Sequence, residues 1–178
     1  VLSNSCTIGI DRTGNYNGNM FVTGSQPDIV VEVLDDGTSS TFSNFPGNTS
    51  GGVWGMNFDT TGNFSGKLYL GNGFPYNSEK SGLFALDSNG DAERFASDLV
   101  LGSIMGFDET DYFGGDMFIL GKTDFSKDAD IFRIDKYGSV SKFIELGEDF
   151  FCSGIEISGN GKMYVAGTDL SSNTVSIT

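Results

Sequence analysis

Histidine is missing from all 178 residues of the chain. That absence removes the side chain most used for acid–base work near neutral pH, and with it the commonest transition-metal ligand. Ser-His-Asp and Cys-His catalysis are excluded, as are histidine-containing zinc sites. Positive charge is scarce: 10 Lys and Arg stand against 24 Asp and Glu, a net charge of −14. Nucleic acid and anionic membrane both need a basic face, so neither is an expected partner. No run approaches the roughly 18 apolar residues of a membrane span, and Ile29-Val30-Val31 is cut short by Glu32. Only 3 prolines occur, without a sustained acidic or serine tract, which speaks against disorder. No basic-then-apolar leader opens the sequence, and a chain running from Val1 to Thr178 in an apparent strand reads as processed or incomplete.

What the chain has in excess is glycine and phenylalanine. Its 26 glycines are about twice the ordinary share, and beside β-branched and aromatic runs they read as turn residues of an all-β protein. The 16 Phe, 6 Tyr and single Trp carry large buried area per residue, enough for a core in one domain of this length.

Self-similarity supplies the plan. An apolar-Asp step occurs at Ile10-Asp11, Phe58-Asp59 and Phe107-Asp108, with Ile157-Ser158 as a weaker fourth copy, at separations of 48, 49 and 50 residues. A glycine recurs at Gly18, Gly66, Gly115 and Gly161, each followed by Met or Leu and an aromatic: Met20-Phe21, Leu68-Tyr69, Met117-Phe118 and Met163-Tyr164. Later in each unit comes a turn glycine, at Gly37, Gly90 or Gly138, with Phe42, Phe95 or Phe143 five positions on. The predicted first strands are 7–11, 56–59, 104–108 and 154–157, the second 19–23, 67–70, 116–120 and 162–166. Third strands are expected at 29–34, 82–86, 130–135 and 174–177, fourth strands at 40–44, 91–96 and 140–144. The expected architecture is an all-β β-propeller over residues 1–178, built from four-stranded antiparallel blades of about 48–50 residues. Three copies are full (about 6–50, 51–100 and 101–150) and the fourth (151–178) is partial.

The pattern apolar-Asp-x-x-Gly-x-aromatic-x-Gly-x-Met/Leu-aromatic, then apolar-x-apolar-Asp-x-x-Gly-x-x-x-x-Phe, resembles blades of NHL and gluconolactonase-like propellers. It is closest to secreted or surface-anchored bacterial ones. Phe107–Ile119 followed by Ile131–Phe143 is the best match, with Asp111 where the first turn glycine usually stands. The resemblance implies the propeller fold, and members usually carry about six blades. A small ring and most of half a larger one both remain open for this chain. Gluconolactonase-like enzymes of the group hold a divalent ion through Glu, Asn and Asp at inner-strand starts. Thr7, Asn57, Ser103 and Glu156 stand there in this chain and do not reproduce that set.

The recurring Asp11, Asp59 and Asp108 read as Asx-turn caps rather than calcium ligands, since no dense D-x-D-x-D-G run accompanies them. Function is expected in the loops that vary between copies. Trp54, Phe74 and Tyr76 are candidate sugar-stacking residues. Asp124, Asp128 and Asp130, with Ser126, are a candidate calcium-type site. Cys6 and Cys152 are a candidate disulfide, which requires the first and last units to be adjacent or to meet across a narrow channel. Asn48-Thr49-Ser50 and Asn63-Phe64-Ser65 match the N-glycosylation pattern.

Three functions are expected. The first is a non-enzymatic, exported binding or structural module at the cell surface or outside the cell. Its partner would be another protein chain, or the remainder of a propeller that completes the open last blade. The second is a lectin-like, carbohydrate-binding propeller, and the third a metal-dependent lactonase-like hydrolase.

Overall fold

Short apolar runs separated by Gly-, Asn- and Asp-rich turns become strands throughout. The computed structural model describes residues 6–24, 29–44, 53–72, 81–124, 128–147, 150–169 and 174–177. Its elements are all strands, grouped in four antiparallel sheets, each a meander in chain order. The first sheet is β1 (Cys6–Ile10), β2 (Met20–Gly24), β3 (Ile29–Val33) and β4 (Ser39–Asn44). The second is β5 (Val53–Phe58), β6 (Leu68–Asn72), β7 (Gly82–Leu86) and β8 (Ala92–Ala96). The third is β9 (Leu101–Phe107), β10 (Met117–Lys122), β11 (Asp130–Ile134) and β12 (Val140–Ile144). The fourth holds β13 (Phe150–Ile157), β14 (Met163–Asp169) and β15 (Thr174–Ile177). The repeat predicted from the sequence is therefore present, including the shorter last copy.

Two of the twelve strands of the full sheets, β6 and β7, are buried along their whole length. Both faces of the second sheet are covered, by the sheets before and after it. Its Met56, Phe58, Leu68, Leu70, Phe84 and Leu86 meet Tyr16, Phe21, Val30 and Phe42 of the first sheet. Its opposite face, with Phe64, Tyr69, Leu83 and Phe95, meets Met105, Phe107, Met117 and Phe132 of the third. The third sheet in turn lays Phe113, Phe118, Leu120 and Ile131 on Ile155, Ile157, Met163 and Val165 of the fourth. Each sheet thus has a leading face toward its predecessor and a trailing face toward its successor. The first strands β1, β5, β9 and β13 lie in a row, each in contact with the next.

The recurring fourth-strand Phe is explained by register. In the first sheet Val30 pairs with Ser43 and Val31 with Thr41, which leaves Phe42 as an extra residue in a β-bulge. Phe95 is left over between Ala96 and Arg94 in the same way, and Phe143 between Ile144 and Lys142. Each Phe packs against two aromatics of its own trailing face, edge-on except for the tilted Phe118–Phe143 pair. Centroids are 4.9 Å apart for Phe21–Phe42, 5.2 Å for Tyr69–Phe95 and 4.8 Å for Phe118–Phe143. Phe58 and Phe107 of the following sheets complete the first two clusters, 5.1 Å from Tyr16 and 5.4 Å from Phe64. Such pairs contribute about 0.5–1.5 kcal/mol beyond their buried area.

First strands of the second, third and fourth sheets begin earlier than the alternation predicts, at Val53, Leu101 and Phe150, each with a register shift against its second strand. A second bulge accounts for the difference. Val53 pairs with Asn72 and Gly55 with Gly71, so Trp54 is the extra residue, and Ser153 is its counterpart between Cys152 and Gly154. A bulge breaks the period-two pattern, so the residues beyond it do not read as the same strand.

Tyr16 ties the first two sheets polarly as well. Its buried hydroxyl donates to the Leu86 carbonyl (2.6 Å) and accepts from the Leu68 N–H (2.9 Å). Burial, above all, pushes its pKa up to about 12, opposed by the Leu68 N–H and helped by the nearby Asp87 and Asp11 charges. Tyr16→Phe keeps the ring but strands both backbone groups, and is expected to cost about 2 kcal/mol in urea unfolding. An unchanged midpoint would show that the hydroxyl is dispensable.

Candidate functional site

A carboxylate accepting several N–H groups is a well-satisfied anion, and three of the recurring residues are built that way. Asp11 Oδ1 accepts from Thr13 N (2.8 Å), Thr13 Oγ1 (2.6 Å) and Gly14 N (3.2 Å). Its Oδ2 accepts from Tyr16 N and Gly18 N, both at 2.9 Å. Asp59 repeats the set with Thr61, Gly62, Phe64 and Gly66. Asp108 repeats it with Thr110, Phe113 and Gly115. The turn needs left-handed backbone at its fourth residue, where Gly14 (φ 80°) and Gly62 (φ 78°) stand. Asp111 adopts φ 61° at that position, so the departure from the usual glycine keeps the conformation. These carboxylates are buried and their lone pairs are occupied by the turn, as the Asx-turn reading predicts.

The other predicted residues divide as follows. Trp54, on its bulge at the start of β5, is 46% exposed. Phe74, Tyr76 and Ser126 lie outside the described residues, so the expected aromatic group is represented by Trp54 alone. Asp124, Asp128 and Asp130 do not form a ligand set: among the described residues no group of three His, Cys, Asp or Glu is placed to hold a metal ion. The reason is visible at Asp130. Its Oδ2 faces Lys142 Nζ at 2.5 Å and its Oδ1 accepts the Leu146 N–H at 3.2 Å, so the carboxylate is spent on β12 and the segment after it.

Cys152 is a free thiol, buried beneath the third sheet, with Sγ 3.5 Å from the Gly154 carbonyl; burial pushes its pKa up. The Cys6 side chain lies outside the described residues. β1 and β13 are the two ends of the row of first strands, which is the separation the proposed disulfide would have to bridge.

The positions compared with the lactonase ion site are likewise committed or open. Ser103 Oγ donates to the Leu120 carbonyl (3.3 Å), Asn57 Oδ1 accepts from Phe58 N (2.9 Å), and Glu156 is exposed. Of the glycosylation matches, Asn63 is engaged: its Nδ2 donates to the Gly115 carbonyl of the next sheet at 3.2 Å.

One feature escaped the sequence reading. A cleft of about 340 Å³ opens where β1 and β5 end, bordered by Ile10, Arg12, Asn57, Thr60 and Glu109. Arg12, Thr60 and Glu109 each follow a recurring Asp, and Thr60 Oγ1 donates to Glu109 Oε1 across two sheets. The signal was there as a variable position inside an otherwise repeated turn. It lies at the opposite end of β5 from Trp54.

No family model matches the chain, and no curated protein matches it.

The turn carboxylates couple stability to acid. Burial pushes the Asp11 and Asp108 pKa values up, but the hydrogen bonds outweigh it and hold both below the usual value. Asp87 and Asp135, with N–H donors from Asn89 and from Ser139 and Tyr137, shift the same way. A lowered folded pKa means that the unfolded chain binds more protons. The stabilisation is therefore complete above the unfolded value, about 3.9, and is lost as pH falls through the folded one. The melting temperature is expected to hold near neutrality and drop steeply below about pH 4. Asp108→Asn should lower the neutral plateau and flatten the acid slope. A melting temperature indifferent to pH between about 2 and 5 would contradict the assignment.

Proposed function

We propose that the chain is a non-enzymatic binding or structural module of the β-propeller kind, exported to the cell surface or beyond. Its sheets serve as blades similar to those of NHL and gluconolactonase-like propellers. The observation that carries this reading is the use to which recurring residues are put. Asp11, Asp59 and Asp108 are saturated by turn N–H groups, and the recurring aromatics are consumed by sheet-to-sheet contact. Neither leaves a free nucleophile, base or ligand set, so the repeat specifies a scaffold. Recognition then falls to what differs between units, such as Trp54 on its bulge and the Arg12–Thr60–Glu109 cleft. The acidity of the chain suits a solvated, extracellular surface.

A lectin-like role is the second reading, favoured by the exposure of Trp54. With no other tryptophan in the chain, its fluorescence reports that position alone. Under the assembly reading, mono- and oligosaccharide titrations leave the emission unchanged; a saturable shift abolished by Trp54→Ala establishes the lectin reading instead. Lactone substrates supplied with calcium, magnesium or zinc should show no turnover. Chelator-sensitive hydrolysis would overturn the non-enzymatic assignment.

A further inference from the structure

The first and last sheets carry the two complementary halves of the sheet-to-sheet interface, and each half has apolar or aromatic side chains exposed among the described residues. The leading face of the first sheet is built like the others. Ile8 and Ile10 correspond to Met56 and Phe58, and to Met105 and Phe107; Met20 and Val22 stand opposite them in register on β2. Phe58 is 3% exposed in its interface, whereas Ile10 is 57% and Ile8 58% exposed. Covering two such side chains removes apolar surface from water, which favours association, and an apolar sheet face of this kind marks an interaction surface.

Two turn glycines of the first sheet show the same difference among the described residues. A Cβ placed on Gly66 would strike Asn15, one on Gly115 would strike Asn63, and one on Gly161 the Tyr112 ring, in each case from the preceding sheet. The equivalent Gly18 has no described neighbour within 4 Å. Gly90 and Gly138 likewise lie against the Phe42 and Phe95 carbonyls of the preceding fourth strand, while the equivalent Gly37 is open.

The complementary half is at the other end. Tyr164 on β14 stands where Phe21, Tyr69 and Phe118 stand in the earlier sheets. Those three are fully buried under the following sheet, but Tyr164 is 40% exposed. We propose that a second copy of this chain covers the leading face of the first sheet, using the trailing face around its own Tyr164. This continues the sheet-to-sheet interface from one copy to the next, and it rests on the assembly reading above. Because different faces meet, the contact is heterologous and propagates unless it closes. The last sheet has three described strands and a turn too short to supply an Asn15 equivalent, so the contact is smaller than those within the chain. The association is accordingly reversible.

Sedimentation equilibrium over about 1–200 μM tests it. Wild type is expected to gain mass with concentration and to pass beyond dimer. Ile8→Lys/Ile10→Lys and Tyr164→Lys each block one face at exposed positions and should be monomeric alone. Mixed one to one, they should form a dimer that grows no further, through the one intact pair of faces. Hydrogen exchange on wild type needs no variant: amides of residues 8–10 and 20–22 should slow as concentration rises. A monomeric wild type throughout that range overturns the proposal, and so does a dimer that survives Tyr164→Lys. Mass is read without reference to turnover or sugar binding, so loss of self-association would leave the non-enzymatic reading standing. Lactone hydrolysis would remove that reading without altering the mass.

Discussion

A buried carboxylate caged by its own turn is the constraint on which the rest depends. Asp11 accepts the Tyr16 N–H, Asp59 the Phe64 N–H and Asp108 the Phe113 N–H. Holding that N–H fixes the backbone of the aromatic residue, which then projects from the trailing face into the next sheet. One side chain therefore sets both the turn between first and second strands and the first contact between units. At Asp11 and Asp108 the donors favour the anion, because protonation removes an acceptor from a site crowded with donors. A structure with so many turn carboxylates draws its resistance to unfolding from conditions that keep them charged.

The second requirement is a flat sheet that can be covered on both faces. β-strands alternate, so a residue on the fourth strand would face the wrong way in half of all registers. The bulge solves this by adding one residue. Phe42, Phe95 and Phe143 turn onto the trailing face beside Phe21, Tyr69 and Phe118 at the outer margin of each interface. In the first sheet, without that Phe, β4 would contribute only polar residues to the contact, such as Ser39, Ser40 and Thr41. The neighbouring unit buries what one unit cannot, and the stability of the row becomes a sum over nearest neighbours.

How much of this could be read in the sequence follows from the same physics. The repeated sheets were legible because turns need particular residues: glycine or Asp111 for left-handed backbone, Asp11 and its equivalents for the cage. The alternating apolar runs placed the second and third strands to within three residues. Bulges were not legible, since an extra residue looks like the end of a pattern, and so the strand that begins at Val53 was expected to begin only at Met56. The acidic group Asp124, Asp128 and Asp130 misled for another reason. Proximity in sequence says nothing about Lys142, twelve residues on, which claims Asp130 in space. The Arg12–Thr60–Glu109 cleft was missed because its members are one per unit and share no residue type.

That last point bears on where function resides in a repeat of this kind. Positions that recur are those that every unit must satisfy, and here each is accounted for by a turn or by contact with the neighbour. Gly66 and Gly115 show how tight the demand is: a side chain at either would displace the asparagine that reaches across from the preceding unit. The positions that differ between units are the residues after the recurring Asp and the bulged residue of the first strand, and a ligand site would have to draw on positions of that kind. The two sets lie at opposite ends of the first strands, so they can evolve separately without disturbing the aromatic contacts between them. Repeated and variable positions are divided along the strand axis, with the core in the middle holding the two ends apart.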